Sequence, residues 1–239
     1  MGGMNFYKTL MTEEAIILAG GLGTRLKSVI SDIPKPMAPI HGKPFLEYVL
    51  SYLVKFKIKK AVLSVGYKYQ NIFDYFGDNY KGMKLLYAIE DKPLGTGGGI
   101  RNAVDHINND HFFLLNGDTY YEIDLNKLYY LHIEKKANIS LSLLPMEKFS
   151  RYGSVKVNGT RITEFMPKKF TEKGLINGGV YIVNRSVFQK YSPDKKFSFE
   201  TDLLQVMCNR LNFHGYISEA PFIDIGIPED YKKALEYFS

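Results

Sequence analysis

The stretch from Glu14 to Met37, EAIILAGGLGTRLKSVISDIPKPM, restricts what this 239-residue chain can fold into more than any other segment. It opens on Ala15-Ile16-Ile17-Leu18, an apolar, β-branched run that suits a strand buried on both faces. Gly20, Gly21 and Gly23 follow directly, so the strand must stop and the backbone open. With no Cβ in the way, main-chain N–H groups can approach a ligand, and concavities of that kind take phosphate. Thr24 and Arg25, then Pro34-Lys35-Pro36, add a guanidinium and an ammonium to the same segment. The pattern predicts a polyphosphate site after the first strand. It is not a Walker A loop, since no Gly-Lys-Ser/Thr follows, and it is not a complete dinucleotide fingerprint, because Leu26 stands at the third glycine position.

Taken whole, the string LAGG-x-G-T-R-L followed by P-K-P resembles the signature of the sugar-1-phosphate nucleotidyltransferases. The resemblance extends from Glu14 to Tyr231. It implies that Leu18, Ala19, Gly20, Gly21, Gly23 and Thr24 surround a nucleotide, that Arg25 holds the β- and γ-phosphates, and that Lys35 sits by the α-phosphate. One departure lies in the loop, where Ser28 replaces the proline of many members.

Composition narrows the partners. Thirty-one lysines and arginines against 25 acids give a net charge of +6, which favours anionic ligands. The basic residues fall in scattered pairs such as Lys59-Lys60 and Lys195-Lys196, which read as solvated faces and fit small polyphosphates as well as nucleic acid. No nucleic-acid partner is expected. No apolar run approaches the ~18 residues of a membrane span, and Met1 to Thr12 lacks a signal-peptide core, so a cytoplasmic protein without membrane contacts is expected. The single cysteine, Cys208, excludes an internal disulfide and reads as core filler. The length fits one α/β domain over residues 13–239, with 1–12 as a flexible extension, and 18 tyrosines with 16 phenylalanines would suit a homodimer surface.

Strands alternate with helices along the first half. Phe45, Tyr48, Val49, Tyr52, Leu53 and Phe56 share one helical face, Ala61–Val65 reads as a strand, Tyr69–Phe76 as a short helix, and Lys84–Ile89 as a strand ending at Glu90. The alternation predicts a Rossmann-like three-layer αβα fold with a mixed, mainly parallel sheet. A second glycine run, Gly95-Thr96-Gly97-Gly98-Gly99, leads into a helix around Arg101 to Val104. The resemblance sets Glu90, Gly95 and Thr96 around base and ribose. Guanine presents adjacent N1–H and N2–H donors and a carboxylate accepts on both oxygens, so Glu90 favours guanine; a solvent-facing strand end is the alternative.

Phe112–Leu115 is a buried strand that delivers Asn116-Gly117-Asp118 to the carboxyl edge, where ligands of open α/β sheets bind. An aspartate there can hold Mg²⁺ or serve as a turn residue. Leu125–Lys136 reads as a helix and Ile139–Leu144 as a strand. Asn158-Gly159 between two alternating runs marks a small antiparallel insertion, and Asn177–Val183 resumes a buried strand. By resemblance, Gly117 belongs to the nucleotide site, while Gly153, Glu164, Lys168, Asn177 and Gly178 face the sugar phosphate. Pro167 stands where the family usually has an acid, so Glu164 would replace it, and the adjacent Lys169 competes with Lys168 as phosphate lysine.

Ser198 reads as the N-cap of a helix over Phe199–Leu211. Ser198, Glu200 and Asp202 match a family string that could reach the sugar, although capping alone would also account for them. The run Asp224-Ile225-Gly226-Ile227-Pro228-Glu229-Asp230-Tyr231 closely resembles the family's terminal motif, which makes Asp224 the second magnesium carboxylate beside Asp118.

The implied reaction joins GTP to a sugar 1-phosphate, with Arg25, Lys35 and Asp118 as its catalytic residues. Length, Glu90 and the Gly-Thr-Gly-Gly-Gly loop most resemble the small guanylyltransferases that act on D-glycero-α-D-manno-heptose 1-phosphate. The resemblance implies a GDP-sugar for surface polysaccharide. Mannose-1-phosphate guanylyl transfer, thymidylyl or uridylyl transfer, and a regulatory subunit that senses nucleotide sugars are the alternatives.

Overall fold

A computed structural model describes residues 11–21, 33–66, 68–191 and 195–239. The signature-loop residues Gly23, Thr24, Arg25, Leu26 and Ser28 therefore lie outside the described residues, as do residues 1–10 of the expected extension. Thr12, assigned to that extension, is instead buried: its hydroxyl donates to the His111 carbonyl at 2.7 Å and accepts from Asn109 Nδ2 at 3.1 Å.

Strand β1 (Glu14–Leu18) is followed by the short antiparallel pair β2 (Pro39–Ile40) and β3 (Lys43–Pro44), then α1 (Phe45–Lys55) and β4 (Lys60–Val65). Pro44, with an extended ψ of 142°, is the N-cap of α1. Next come α2 (Tyr69–Phe76), β5 (Asn79–Tyr80), β6 (Met83–Ile89), α3 (Gly95–Val104), β7 (His111–Asn116), β8 (Thr119–Tyr121) and α4 (Leu125–Glu134). The second half supplies β9 (Ile139–Phe149), the hairpin β10 (Gly153–Asn158) and β11 (Arg161–Lys168), β12 (Thr171–Asn184) and α5 (Ser186–Lys190). Gly159 turns that hairpin at a φ of 57°, the left-handed geometry an Asn-Gly turn requires. A π-helical segment, Phe199–Leu204, runs into α6 (Gln205–Met207) before β13 (Phe213–Ile217), β14 (Phe222–Asp224) and α7 (Pro228–Tyr237).

Among the described residues the main sheet has ten strands in the order β10-β11-β13-β9-β12-β7-β1-β4-β6-β5. The segment β7-β1-β4-β6 is parallel, and β12 joins it antiparallel against β7. The mixed, Rossmann-like sheet expected from the alternation is thus present, with β1 between its two parallel neighbours, but it is not mainly parallel: four of the nine neighbouring pairs are parallel and five antiparallel, because β12 returns between β7 and β9 and the β10–β11 hairpin extends the sheet. Alternate residues separate into two cores. Ala15 and Ile17 join Leu63, Phe113 and Leu115 under α1, α2, α4 and α7, whereas Ile16 joins Val62, Phe112 and Leu114 under α3, α5 and the π-helical segment. Three layers follow from the two-residue period of strands buried on both sides.

Two expectations change. The glycine run is itself the start of α3, not a loop before it: Gly95 begins the helix with a φ of 73°, and Gly97, Gly98 and Gly99 are buried. A Cβ on these glycines would collide with Phe197, the Lys195 carbonyl and Glu90, so the close approach they permit is to this chain's own residues. The helix expected over Phe199–Leu211 ends at Met207, and Cys208 is buried behind it.

Candidate active site

The parallel strands end together. Leu18 pairs with Asn116 and Ser64 in register, so the glycines after β1, the Asn116-Gly117-Asp118 segment and Glu90 after β6 meet at one carboxyl edge. Gly117 donates its N–H to the Leu18 carbonyl at 2.9 Å, and a Cβ there would collide with that carbonyl. Ala19 donates to the Ser64 carbonyl at 2.8 Å. Gly20 and Gly21 follow on this edge.

The β8–β14 ribbon brings the two expected metal carboxylates together. Asp224 lies opposite Thr119, and the Ile225 N–H donates to the Asp118 carbonyl at 3.1 Å. Both aspartates line one cleft of about 510 Å³. Lys35, held in a single helical turn over Lys35–Met37, enters the same cleft and donates from Nζ to Asp118 Oδ2 at 2.5 Å. Its side chain is only 10% exposed, whereas that of Asp118 is 36% exposed. The ammonium is thus committed to the carboxylate while the carboxylate keeps an open side toward the cleft. Burial, reinforced by the Asp118 charge, pushes the Asp224 carboxyl above its ordinary value, while Tyr152, Lys35 and Arg151 pull it back.

The residues expected at the sugar phosphate separate into three groups. Gly153, Lys168, Asn177 and Gly178 line the cleft. Asn177 donates from Nδ2 to Tyr181 Oη at 2.7 Å and accepts the Gly179 N–H at 3.1 Å, a local bulge with Gly179 at a φ of 75°. Lys168 faces Glu200, whose carboxyl is raised by burial and by Asp118 and lowered by Lys168. Lys169 is exposed and outside the lining. Glu164 is the correction: it lies across from Lys156 in the β10–β11 pairing and bonds its ammonium at 2.7 Å on the solvent side. Phe165 to Lys168 line the cleft beyond an irregularity in that pairing while Glu164 stays outside it, so it does not replace the acid missing at Pro167.

Capping and cleft roles divide within the Ser198–Asp202 string. Ser198 Oγ accepts the Thr201 N–H at 3.2 Å and Asp202 Oδ2 accepts the Ser198 N–H at 2.7 Å, a reciprocal cap, whereas Glu200 lines the cleft. Thr96 Oγ1 accepts the Phe199 N–H at 2.9 Å, and Gly97 donates to the Phe197 carbonyl at 3.0 Å, so the Gly95-Thr96 turn is fastened to the chain before the π-helical segment. Glu90 accepts the Leu94 N–H on Oε2 at 2.9 Å and the Ser64 hydroxyl on Oε1 at 3.4 Å. Each carboxylate oxygen has a second lone-pair direction, so these bonds leave acceptor capacity for a base.

Sequence reasoning missed Arg151 and Tyr152. Both line the cleft, and Tyr152 Oη donates to Asp224 Oδ2 at 2.8 Å. Tyr152 was legible only as the start of a strand, because its partner lies 72 positions away. Asn116, Thr119, Thr201 and Gln205 add further polar groups to the wall. Among the described residues no cluster of three or more His, Cys, Asp or Glu side chains is arranged for a metal. Two carboxylates beside an ammonium in a polar cleft fit a hard divalent cation that takes its remaining oxygens from phosphate and water.

Comparison with known proteins agrees with this arrangement. The profile of the Nucleotidyl transferase family matches residues 14–238. D-glycero-α-D-manno-heptose 1-phosphate guanylyltransferase of Aneurinibacillus thermoaerophilus is 49% identical over 221 residues, covering 92% of this chain and 96% of that protein. The protein of the same description from Campylobacter jejuni is 48% identical, over 91% and 96% of the two chains. A crystal structure of HddC from Yersinia pseudotuberculosis complexed with GMP-PN superposes with a TM-score of 0.83 at 41% identity, over 95% of this chain and 99% of that one. A strand-edge cleft holding Lys35, Asp118 and Asp224, within a match that spans nearly the whole chain, places this protein in the nucleotidyl transferase family.

Proposed function

We propose that this enzyme transfers a guanylyl group from GTP to a sugar 1-phosphate, D-glycero-α-D-manno-heptose 1-phosphate in the first instance, giving GDP-sugar and pyrophosphate. The observation that carries the reading is the convergence of Lys35, Asp118 and Asp224 on a cleft whose far wall presents Lys168 and Asn177. Near 48–49% identity to two heptose 1-phosphate guanylyltransferases over almost their full length supports the choice of base and sugar.

The chemistry requires little from a general base. A sugar 1-phosphate has a second pKa near ~6, so at neutral pH its oxygen is already a nucleophile. That oxygen bonds to the α-phosphorus of GTP as the bond to the β-phosphate bridging oxygen breaks, and pyrophosphate leaves with the electron pair. Charge repulsion is the obstacle. One like-charge pair at ~4 Å costs about 4 kcal/mol at an effective dielectric of ~20. Cations placed before the reactants arrive answer it without reorganisation.

In this reading Lys168 anchors the incoming phosphate and Lys35 stands between it and the α-phosphate. Arg25, outside the described residues, would hold the departing pyrophosphate. Asp118 and Asp224 would hold Mg²⁺, which when bound neutralises phosphate charge and polarises the α-phosphoryl group. Glu90 would accept from guanine N1–H and N2–H, with Leu18 to Gly21, Gly95, Thr96 and Gly117 shaping the nucleotide side. Glu200, Asn177 and Gly178 would meet the sugar. Working on GTP and a sugar phosphate, the enzyme would act in the cytoplasm; no helix among the described residues is long and apolar enough to cross a membrane.

Pyrophosphate release, measured with GTP, Mg²⁺ and a panel of sugar 1-phosphates, tests the proposal. The heptose 1-phosphate should give the highest kcat/KM, with UTP and dTTP giving little product. Equal rates with all nucleotides would remove the guanylyl assignment.

A further inference from the structure

Asp224 is gripped on both oxygens. Oδ1 accepts the Gly226 N–H at 2.7 Å, while Oδ2 accepts the Tyr152 hydroxyl at 2.8 Å and lies 3.6 Å from Arg151 Nη2. Arg151 is itself anchored from behind. Its Nη1 donates to Asp230 Oδ2, and Asp230 Oδ1 in turn accepts Lys233 Nζ at 3.0 Å, Asp230 lying on the first turn of α7. The guanidinium also lies 5.4 Å from the centroid of the Tyr152 ring, which meets Phe222 edge-on at 6.4 Å. Asp230 and Lys233 do not line the catalytic cleft; they line a neighbouring cavity of about 490 Å³ on the other side of Arg151 and Tyr152.

We propose that Tyr152 and Arg151 are positioning residues that hold the Asp224 carboxylate toward Asp118, and that Asp230 extends this support back to α7. The inference rests on the reading of Asp224 as a carboxylate for the divalent ion. Two acids sharing a cleft repel, and an aspartate with free χ angles would turn its charge toward solvent. The Gly226 N–H restrains only Oδ1. The other oxygen is restrained by Tyr152 and by the guanidinium, whose charge also compensates the second acid before any ion or substrate arrives. Groups that orient a metal-binding carboxylate in this way typically affect the ion's binding by ~10–100-fold.

Crystal structures and Mg²⁺ titrations of pyrophosphate release, made on Tyr152→Phe and Asp230→Asn, test the inference. Tyr152→Phe removes one hydroxyl and keeps the ring against Phe222; Asp230→Asn alters a group outside the cleft. In both variants the Asp224 carboxylate should rotate away from Asp118, and the half-saturating Mg²⁺ concentration should rise by about 10–100-fold for Tyr152→Phe and by less for Asp230→Asn. The rise should exceed the fall in kcat at saturating Mg²⁺. A carboxylate that stays in place in Tyr152→Phe overturns the proposal, whatever the kinetics, and so does a lowered unfolding temperature with both readouts unmoved. If the carboxylate moves while the Mg²⁺ dependence stays, the positioning role stands and the metal reading of Asp224 is what fails.

Discussion

Lys35 Nζ donates to Asp118 Oδ2 at 2.5 Å, joining a loop that follows the first strand to one that follows β7. In the proposed reaction the pair would place a positive and a negative group at the point where two anionic reactants meet. Replacing Asp118 by Asn keeps the shape but removes the charge. Turnover should fall by about 10²–10³, the scale seen when a preorganised electrostatic group is lost. The fold should survive, with stability changed by no more than about 2 kcal/mol, since Asp118 is partly solvated. Pyrophosphate release together with a thermal melt separates the two effects, and a fully active variant would refute the metal assignment.

The two adjacent lysines should behave differently. Lys168 lines the cleft opposite Glu200, and Lys169 points elsewhere. Lys168→Ala should raise KM for the sugar phosphate by about tenfold or more, the value of one charge-assisted bond, while Lys169→Ala stays near the parent. Steady-state kinetics with the sugar phosphate varied will distinguish them, and the reverse pattern would reassign the anchor.

Glu90 and Gly99 are coupled, because a Cβ on Gly99 would collide with Glu90 Oε1 and Ser64 Oγ. If Glu90 reads the base as proposed, Glu90→Gln turns one acceptor into a donor toward guanine, and kcat/KM for GTP should fall by about 10–100-fold. Gly99→Ala should displace the carboxylate, reproduce part of that loss, and cost about 1–3 kcal/mol in chemical denaturation. An unchanged GTP kcat/KM in Glu90→Gln would leave Glu90 as a strand-end cap alone.

His132 should make the fold acid-sensitive. It is fully buried, with Nδ1 3.1 Å from Ser140 Oγ and Nε2 3.1 Å from His111 Nδ1. Burial first, then the neighbouring His111 and His214, lower its pKa to about 3. The unfolded chain, with an ordinary histidine pKa near ~6.5, binds a proton that the folded chain refuses. This histidine therefore leaves stability untouched above pH ~6.5 and removes about 1.4 kcal/mol per pH unit as pH falls from there toward about 3. Urea unfolding at pH 7.5 and 5.5 should show a smaller acid loss in His132→Gln than in the parent, by about one proton's slope.

Much of the architecture was legible because it is written in short-range periodicity. The run Ala15–Leu18, the α1 face and the Asn158-Gly159 turn each declare their local structure within a few residues. The glycines of α3 were harder to place, since glycine permits both a ligand-cradling loop and a tight helix contact. Only the position of Phe197 and Glu90 against them decided for the second. Glu164 was misplaced because a match to a motif does not say which face of a strand a residue occupies once irregular pairing has shifted the register.

By itself, the sequence determined the order of strands and helices, the glycine-lined carboxyl edge and the identity of the charged groups, because each depends on neighbours a few positions apart. The tertiary structure decided which of those groups share a cleft. Sheet order sets Asp224 across from Thr119, the irregular β10–β11 pairing leaves Lys168 on the cleft and Glu164 on the solvent side, and the hydroxyl of Tyr152 reaches an aspartate far along the chain. Such meetings depend on how distant segments stack and which rotamers the packing leaves open, and no local pattern records either.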